Sequence, residues 1–221
     1  MNFESAVGFG WFILSGTWAT LQLTVFSCLL ALVLAMLAGI GLTTQSVFVR
    51  IAVRTYVEIF RGTSVFVQLF AAFFVLPFVG ISLTPIQSGV LALGLNGGAY
   101  GAEVVRAAIN AVGRDQREAT IALNLTRWQA LWWVVLPQAV VLMLPSFGNL
   151  AIEIMKGTAV ASLITVSELT FQAQTVRAQT GDTAMPFLLI MVTYLLIASV
   201  LTSFVRWLER RFGRGIVNVN V

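Results

Sequence analysis

Histidine is absent from this chain, and cysteine occurs once, at Cys28. Without histidine there is no imidazole for acid–base catalysis or for a metal site, and one cysteine permits no disulfide within the chain. Lysine is almost as scarce, since it occurs only at Lys156, where no glycine pattern of a phosphate-binding loop precedes it. We therefore expect a chain that is not an enzyme, carries no cofactor or metal of its own, and does not bind ATP.

Charge of either sign is also scarce. Charged residues make up 10% of the 221 residues and hydrophobic residues 58%, with a mean hydropathy of +0.92. A soluble domain has about a quarter of its residues charged, so this chain is expected in a bilayer. About 20 apolar residues cross a hydrocarbon core, which predicts an all-α integral membrane protein, a single domain over residues 1–221, with five helices. The predicted spans are about 18–42, 57–79, 86–109, 131–155 and 184–206.

Basic residues are distributed unevenly about these spans. With the N-terminus outside and the C-terminus in the cytoplasm, 11 of the 13 basic residues lie at the cytoplasmic side, and only Lys156 and Arg177 lie outside. The opposite orientation would break the positive-inside rule. Because the basic residues flank apolar spans and form no patch, the net charge of +4 indicates topology and not nucleic-acid binding.

The polar segment 111–128 separates the third span from the fourth and is predicted to lie in the cytoplasm. Asp115 and Gln116 are expected to accept hydrogen bonds from the first backbone amides of a short helix. Thr126 and Gln129 match a capping box that begins a second helical piece. Asn124, between the two pieces, tolerates a left-handed backbone conformation and is expected to make the turn.

The register of this segment resembles the EAA loop of permease subunits of ABC importers. Glu118-Ala119 is followed six residues after the glutamate by Asn124, where the family usually has glycine, and then by Leu136-Pro137. The resemblance implies that the loop docks on a cytoplasmic ATPase, which would bind ATP and Mg²⁺. The residues expected to couple the two proteins are Arg114, Gln116, Arg117, Glu118, Ala119, Leu123, Asn124, Leu136 and Pro137.

Further motifs are similar to the polar-amino-acid branch of this family, over roughly residues 15–212. They are the run Tyr56–Thr63 with Gln68, the pair Ala99-Tyr100 with Glu103 and Arg106, and the run Lys156–Val160. The branch imports histidine, glutamine, arginine and related solutes. Ser64 replaces a proline of the pattern, which predicts a weaker kink in the second helix. Together with the departures at Gly157 and Ala159, this also suggests an amino-acid-like zwitterion such as ectoine or hydroxyectoine.

Polar residues at membrane depth are usually functional or paired. Glu58 with Arg61, and Glu103 with Arg106, are predicted to form structural ion pairs along one helix face. Glu153 and Lys156 either hold the charged groups of a zwitterionic solute or pair with each other. The candidate residues of the substrate pathway are Gln68, Asn96, Asn149, Glu153, Lys156 and Thr158.

The family resemblance also implies partners and a location. They are a cytoplasmic ABC ATPase dimer, a second permease subunit that is identical or similar, an extracytoplasmic solute-binding protein and membrane lipid. The chain would be a multi-pass protein of a prokaryotic cytoplasmic (inner) membrane. An ion-coupled secondary transporter or channel is the alternative, although five spans do not supply the paired halves of many such transporters.

Overall fold

The computed structural model describes residues 3–212 as helices joined by short connections, with no strand in that range. Arg214 is one of the basic residues predicted at the cytoplasmic side. It lies in 213–221, outside the described residues. The α-helices are α1 Phe3–Thr43, α2 Val47–Gly62, α3 Val65–Phe70, α4 Pro85–Ala111, α5 Arg114–Ala122, α6 Arg127–Gln129, α7 Leu136–Gly157, α8 Leu169–Thr180 and α9 Ala184–Phe212.

Within residues 3–212, three helical stretches are long and apolar enough to cross a membrane: Ser15–Thr43, Arg127–Ile164 and Ala184–Phe212. A fourth is added if the bent pair Val47–Gly62 and Val65–Val79 counts as one. The predicted span over 86–109 is helical but is not among them, since it carries Asn96, Glu103 and Arg106. This helix, α4, lies against α1, α2 and α7, and a helix that is largely enclosed by protein does not need an apolar surface.

Helix α4 forms the centre of the bundle because its small residues allow close approach. A Cβ at Gly101 would lie 2.6 Å from the Cβ of Ala35 in α1, and one at Gly97 would lie 2.7 Å from the Cδ1 of Ile154 in α7. Ala99, Ala102 and Val105 of α4 are also fully buried. Small residues of this kind let neighbouring membrane helices pack backbone against backbone.

The predicted second helix over 57–79 is interrupted, and the weaker kink expected from Ser64 is wrong. Helix α2 ends at Gly62, and the chain turns through 104° before α3 begins at Val65. The bend is held by two side-chain amides that donate to the carbonyl oxygen of Phe60, Gln68 Nε2 at 2.8 Å and Asn96 Nδ2 at 2.9 Å. Side-chain hydrogen bonds therefore stabilise this bend, although Ser64 stands where the family pattern has a proline.

Two π-helical stretches occur, and each ends at a Leu-Pro pair. Ala71–Val75 precedes Leu76-Pro77, and Ala130–Val135 precedes Leu136-Pro137. Proline lacks an amide hydrogen and its ring clashes with the carbonyl four residues earlier, so a wider turn before it relieves the conflict. The second stretch sets the direction in which α7 leaves the polar segment.

Candidate functional site

Helix α5 forms the predicted helix of the polar segment and projects from the bundle. It begins at Arg114 with Gly113 as its N-cap and no side-chain cap bond, so the expected capping by Asp115 and Gln116 is wrong. A glycine N-cap is itself favourable, and Asp115 still lies in the first turn, where its charge suits the helix dipole. Residues 113–119 are all exposed.

The turn after α5 has the predicted backbone. Asn124 has a φ of 52°, which is the left-handed conformation that asparagine tolerates. The backbone N–H of Asn124 donates to Ile121 O at 2.9 Å, and that of Leu125 donates to Thr120 O at 3.0 Å. Thr126 then forms its capping box with Gln129, as the sequence predicts.

Two contacts attach α5 to the long helices on either side. Arg117 Nη2 donates to the carbonyl oxygen of Ile109 in the last turn of α4 at 2.6 Å. Gln138 Nε2 in the first turn of α7 donates to Gln116 Oε1 at 3.2 Å. A cationic donor at a helix C-terminus satisfies a free carbonyl and favours the dipole. Side-chain hydrogen bonds therefore link α5 to both α4 and α7.

The outer side of α5 combines charge with exposed apolar surface. Glu118 and Arg114 face each other at 3.7 Å and are both exposed, and the next residue, Ala119, is small and exposed. Ile121 and Leu123 at the end of the helix are 76% and 71% exposed. Leu136 instead lies in the core, and Pro137 is exposed at the start of α7.

The structure changes one of the two ion pairs predicted at membrane depth. Glu103 pairs with Arg106 at 2.7 Å, as expected. Glu58 pairs with Arg54 at 2.8 Å, one turn earlier on α2, and not with Arg61. The Arg61 guanidinium lies instead 5.1 Å from the ring centroid of Tyr100 in α4.

Two helices carry stripes of polar residues that are exposed or half-exposed in the single subunit. On α4 the stripe contains Asn96, Tyr100 and Glu103, at intervals of four and three residues, and then Asn110, which lies two turns (seven residues) after Glu103. On α7 the corresponding stripe contains Ser146, Asn149, Glu153 and Lys156. Intervals of three and four residues place each set on one helix face. Neither Glu153 nor Lys156 forms an ion pair with a residue of the described range, so the predicted self-pairing is not observed.

Two predicted pathway residues do not face such a surface. Thr158 is fully buried, and its hydroxyl donates at 2.7 Å to the carbonyl oxygen of Met155 in the last turn of α7. Gln68 serves the bend, because its Nε2 also donates to the hydroxyl of Thr63 at 2.8 Å. Asn96 combines both roles, since it belongs to the α4 stripe and holds the Phe60 carbonyl.

Glu168 is a buried polar residue that the sequence analysis did not single out. Its carboxylate accepts from the backbone amides of Thr170 and Phe171 at 2.9 and 2.8 Å and so caps α8. It also accepts from the Tyr194 hydroxyl of α9 at 2.8 Å. Burial raises the pKa of this carboxyl, and these donors oppose the rise. A glutamate that immediately precedes a helical segment, at its N-cap, was the available signal.

Comparisons with known proteins agree on one family. A family model described as "Binding-protein-dependent transport system inner membrane component" matches residues 8–214. The chain is 46% identical over 205 residues to the "Probable amino-acid ABC transporter permease protein y4tF" of Sinorhizobium fredii (strain NBRC 101917 / NGR234), covering 90% of this chain and 86% of the relative. It is 34% identical to the L-cystine transport system permease protein TcyB of Bacillus subtilis (strain 168), covering 93% and 89%. It is also 34% identical to the glutamine transport system permease protein GlnP of Escherichia coli (strain K12), covering 90% and 92%.

Solved structures share the fold. A chain of "an amino acid ABC transporter with histidines" matches with a TM-score of 0.87 and 30% identity, covering 96% of this chain and 99% of that one. A chain of the inward-facing MetNI methionine ABC transporter matches with a TM-score of 0.75 and 21% identity, covering 99% and 100%. The second likeness concerns the fold alone.

Proposed function

The chain belongs to the family of binding-protein-dependent transport system inner membrane components and is a permease of an amino-acid ABC importer, and we propose how its exposed surfaces perform that task. It is not the enzyme of the transporter, because ATP is hydrolysed by a separate ATPase subunit. This assignment favours the importer permease over the ion-coupled secondary transporter that the sequence left as an alternative. Amino acids are the substrate class, and ectoine-like zwitterions stay a narrower hypothesis.

Helix α5 is the surface that we assign to the ATPase partner. The observation that carries this proposal is that α5 is exposed on its outer side while Arg117 and Gln116 attach its inner side to α4 and α7. Exposed Ile121 and Leu123 beside Glu118 give an apolar contact with a charged rim, which is the composition of a protein interface. Nucleotide-driven movement of the ATPase would reach the spans through this helix.

The orientation with the N-terminus outside and the C-terminus inside supports the assignment. In this topology five segments cross the membrane, including the bent pair α2–α3 and the enclosed helix α4, and α5 lies in the cytoplasm. Arg114 and Arg117 lie on α5 and Arg127 begins α6, a distribution that agrees with the positive-inside rule. ATP and Mg²⁺ would both be held by the ATPase, and the membrane would be the inner membrane of a prokaryote.

The polar stripes of α4 and α7 are the surfaces that we assign to the solute pathway. Asn96, Glu103, Asn149, Glu153 and Lys156 cannot border hydrocarbon without a large cost in free energy. One subunit leaves them uncovered, so a second permease subunit, identical or similar, is needed to enclose the path between them. An extracytoplasmic solute-binding protein would deliver the amino acid at the outer end, near Glu153 and Lys156.

The test is uptake by the complex that is purified through a tag on this chain and reconstituted in vesicles with its solute-binding protein. We expect uptake of at least one of glutamine, cystine, histidine and arginine, only with ATP and Mg²⁺ on the ATPase side. Ectoine serves as the alternative solute in the same panel. Uptake driven by a sodium or proton gradient without ATP would contradict the proposal.

A further inference from the structure

Arg61 is a cation without an acidic partner in the described part of the chain. Glu58, its predicted partner on α2, pairs with Arg54, and Glu103, the nearest acid of α4 in sequence to Tyr100, pairs with Arg106. The guanidinium of Arg61 lies over the ring of Tyr100, with 5.1 Å between its central carbon and the ring centroid. Arg61 and Tyr100 are both exposed in the single subunit. The positive charge is therefore held in place and is not neutralised.

Arg61 lies at a level that the bilayer would cover. Tyr100 is followed by Gly101, which packs against Ala35 of α1. Ala35 lies within the apolar stretch Ser15–Thr43. At a rise of about 1.5 Å per residue, it is about 12 Å from the end of α1 at Thr43. A cation at this depth is costly against lipid, so its surroundings must be protein or water.

The backbone beside Arg61 leads to the same conclusion. Thr63 and Ser64 lie outside the helices between α2 and α3, and both are exposed. Backbone outside a helix is tolerated at membrane depth only where it is enclosed by protein or lines a water-filled cavity. Asn96 donates to Phe60 O at this bend and lies one helical turn before Tyr100. The bend, the exposed cation and the polar stripe of α4 thus border one region.

We propose that Arg61 binds the carboxylate of the transported amino acid in the inner half of the solute pathway. The inference rests on the proposed function, since it needs an amino acid to pass along the α4 stripe. A guanidinium suits this role because its fork of donors matches a carboxylate in two hydrogen bonds. Tyr100 fixes the plane of the guanidinium, and the ion pairs Arg54–Glu58 and Glu103–Arg106 keep neighbouring carboxylates away from it.

The competing explanation is that Arg61 only extends toward the headgroups to position the bend. A protection experiment separates the two. Cys28 is the one native cysteine and is replaced by alanine, and Ser64→Cys then places a thiol beside the bend. Ser64 is exposed and its side chain makes no cap bond to α3, so the substitution changes little. The assembled complex with its ATPase, without nucleotide, is treated with a water-soluble maleimide.

The probe is the amino acid that the wild-type complex transports, compared with the same amino acid as its carboxamide. We expect the amino acid to slow labelling of the thiol and the carboxamide to give little protection. Adding Arg61→Gln should raise the half-protecting concentration by about tenfold or more, and Arg61→Lys should give a smaller rise. Arg50→Gln, which removes an exposed arginine from the same helix without freeing the carboxylate of Glu58, is the matched control and should leave protection unchanged.

Three results would overturn the inference. They are equal protection by the amino acid and its carboxamide, protection that survives Arg61→Gln, and a thiol that a transported amino acid never protects. Each of these leaves the proposed function intact, because the wild-type complex still imports the probe. Failure of the wild-type complex to import any amino acid of the panel would instead contradict the proposed function and remove the basis of this inference.

Discussion

Arg117 joins the exposed helix α5 to the last turn of α4, because its Nη2 donates a 2.6 Å hydrogen bond to the carbonyl oxygen of Ile109. Ile109 belongs to a buried core cluster with Val105, Ala108 and Val112. The same cluster contains residues of α1 and α7. One side chain thus connects a surface helix to the centre of the bundle. The family assignment gives this connection a use, since an importer permease must respond to an ATPase on one side of the membrane.

The contact predicts a variant in which ATP hydrolysis and transport are separated. Arg117→Gln removes the charged donor to Ile109, which should loosen α5 by about 1 kcal/mol. We expect the assembled complex to keep most of its ATP hydrolysis and to lose most of its uptake, because α5 still docks but moves α4 less. Arg127→Gln removes an exposed arginine at the next helical piece and should leave both activities unchanged. Equal losses of hydrolysis and uptake would contradict the connection between α5 and α4.

Glu118 tests the docking surface itself. Glu118→Lys reverses a charge on the outer side of α5 and abolishes its contact with Arg114. Because the residue is exposed, folding should be disturbed by no more than about 0.5 kcal/mol. Like charges brought together in a docked interface cost several kcal/mol, so uptake should be abolished at normal membrane levels of the chain. Glu209→Lys in α9 is the control, and wild-type uptake by the Glu118→Lys complex would show that α5 is only a connector.

The bend after Gly62 should depend on Gln68. Gln68→Leu removes the amide that donates to Phe60 O and to the Thr63 hydroxyl, and it leaves that carbonyl with Asn96 alone. The expected loss of stability is about 1–3 kcal/mol, which thermal unfolding of the chain in a lipid disc would detect as a lower Tm. Gln45→Leu alters an exposed glutamine before α2 and should leave Tm unchanged. An equal Tm for the Gln68→Leu variant would mean that packing alone holds the bend.

Glu168 makes the stability of the connection before α8 depend on pH. The groups that face it are the hydroxyls of Tyr194 and Thr170 and the backbone amides of Thr170 and Phe171, none of which is a cation. Its pKa is raised by burial, so the folded chain retains a proton that the unfolded chain has already lost. The stability is therefore higher at low pH, and falls as pH rises from the unfolded carboxyl value through the raised folded value.

Glu168→Gln keeps an acceptor for the amides but cannot ionise. We expect the difference in Tm between this variant and wild type to grow in favour of the variant as pH rises across that window. Asp182→Asn, at an exposed cap of α9, is the control for titration outside the core. If the difference in Tm between the two proteins is independent of pH, the Glu168 carboxyl does not titrate in this pH window.

The parts of this fold that were predictable from sequence are those set by local rules. The turn at Asn124 and the capping box of Thr126 and Gln129 follow from residues that are near neighbours, and the pair Glu103–Arg106 follows from helix spacing. The bend after Gly62 depends on Asn96, which lies 36 residues from Phe60, so it has no local signature. Glu58 could pair with Arg54 or with Arg61, and the packing of Arg61 against Tyr100 leaves Arg54 as its partner.

The most direct measurement of the central claim is a photocrosslink from α5. A photoreactive phenylalanine replaces Leu123, which is 71% exposed at the end of α5, and a second complex carries it at Leu163, which is exposed in the connection before α8. We expect a crosslink from position 123 to the ATPase subunit and none from position 163. A crosslink to the ATPase from position 163, with none from position 123, would contradict both the coupling role of α5 and the orientation of the chain.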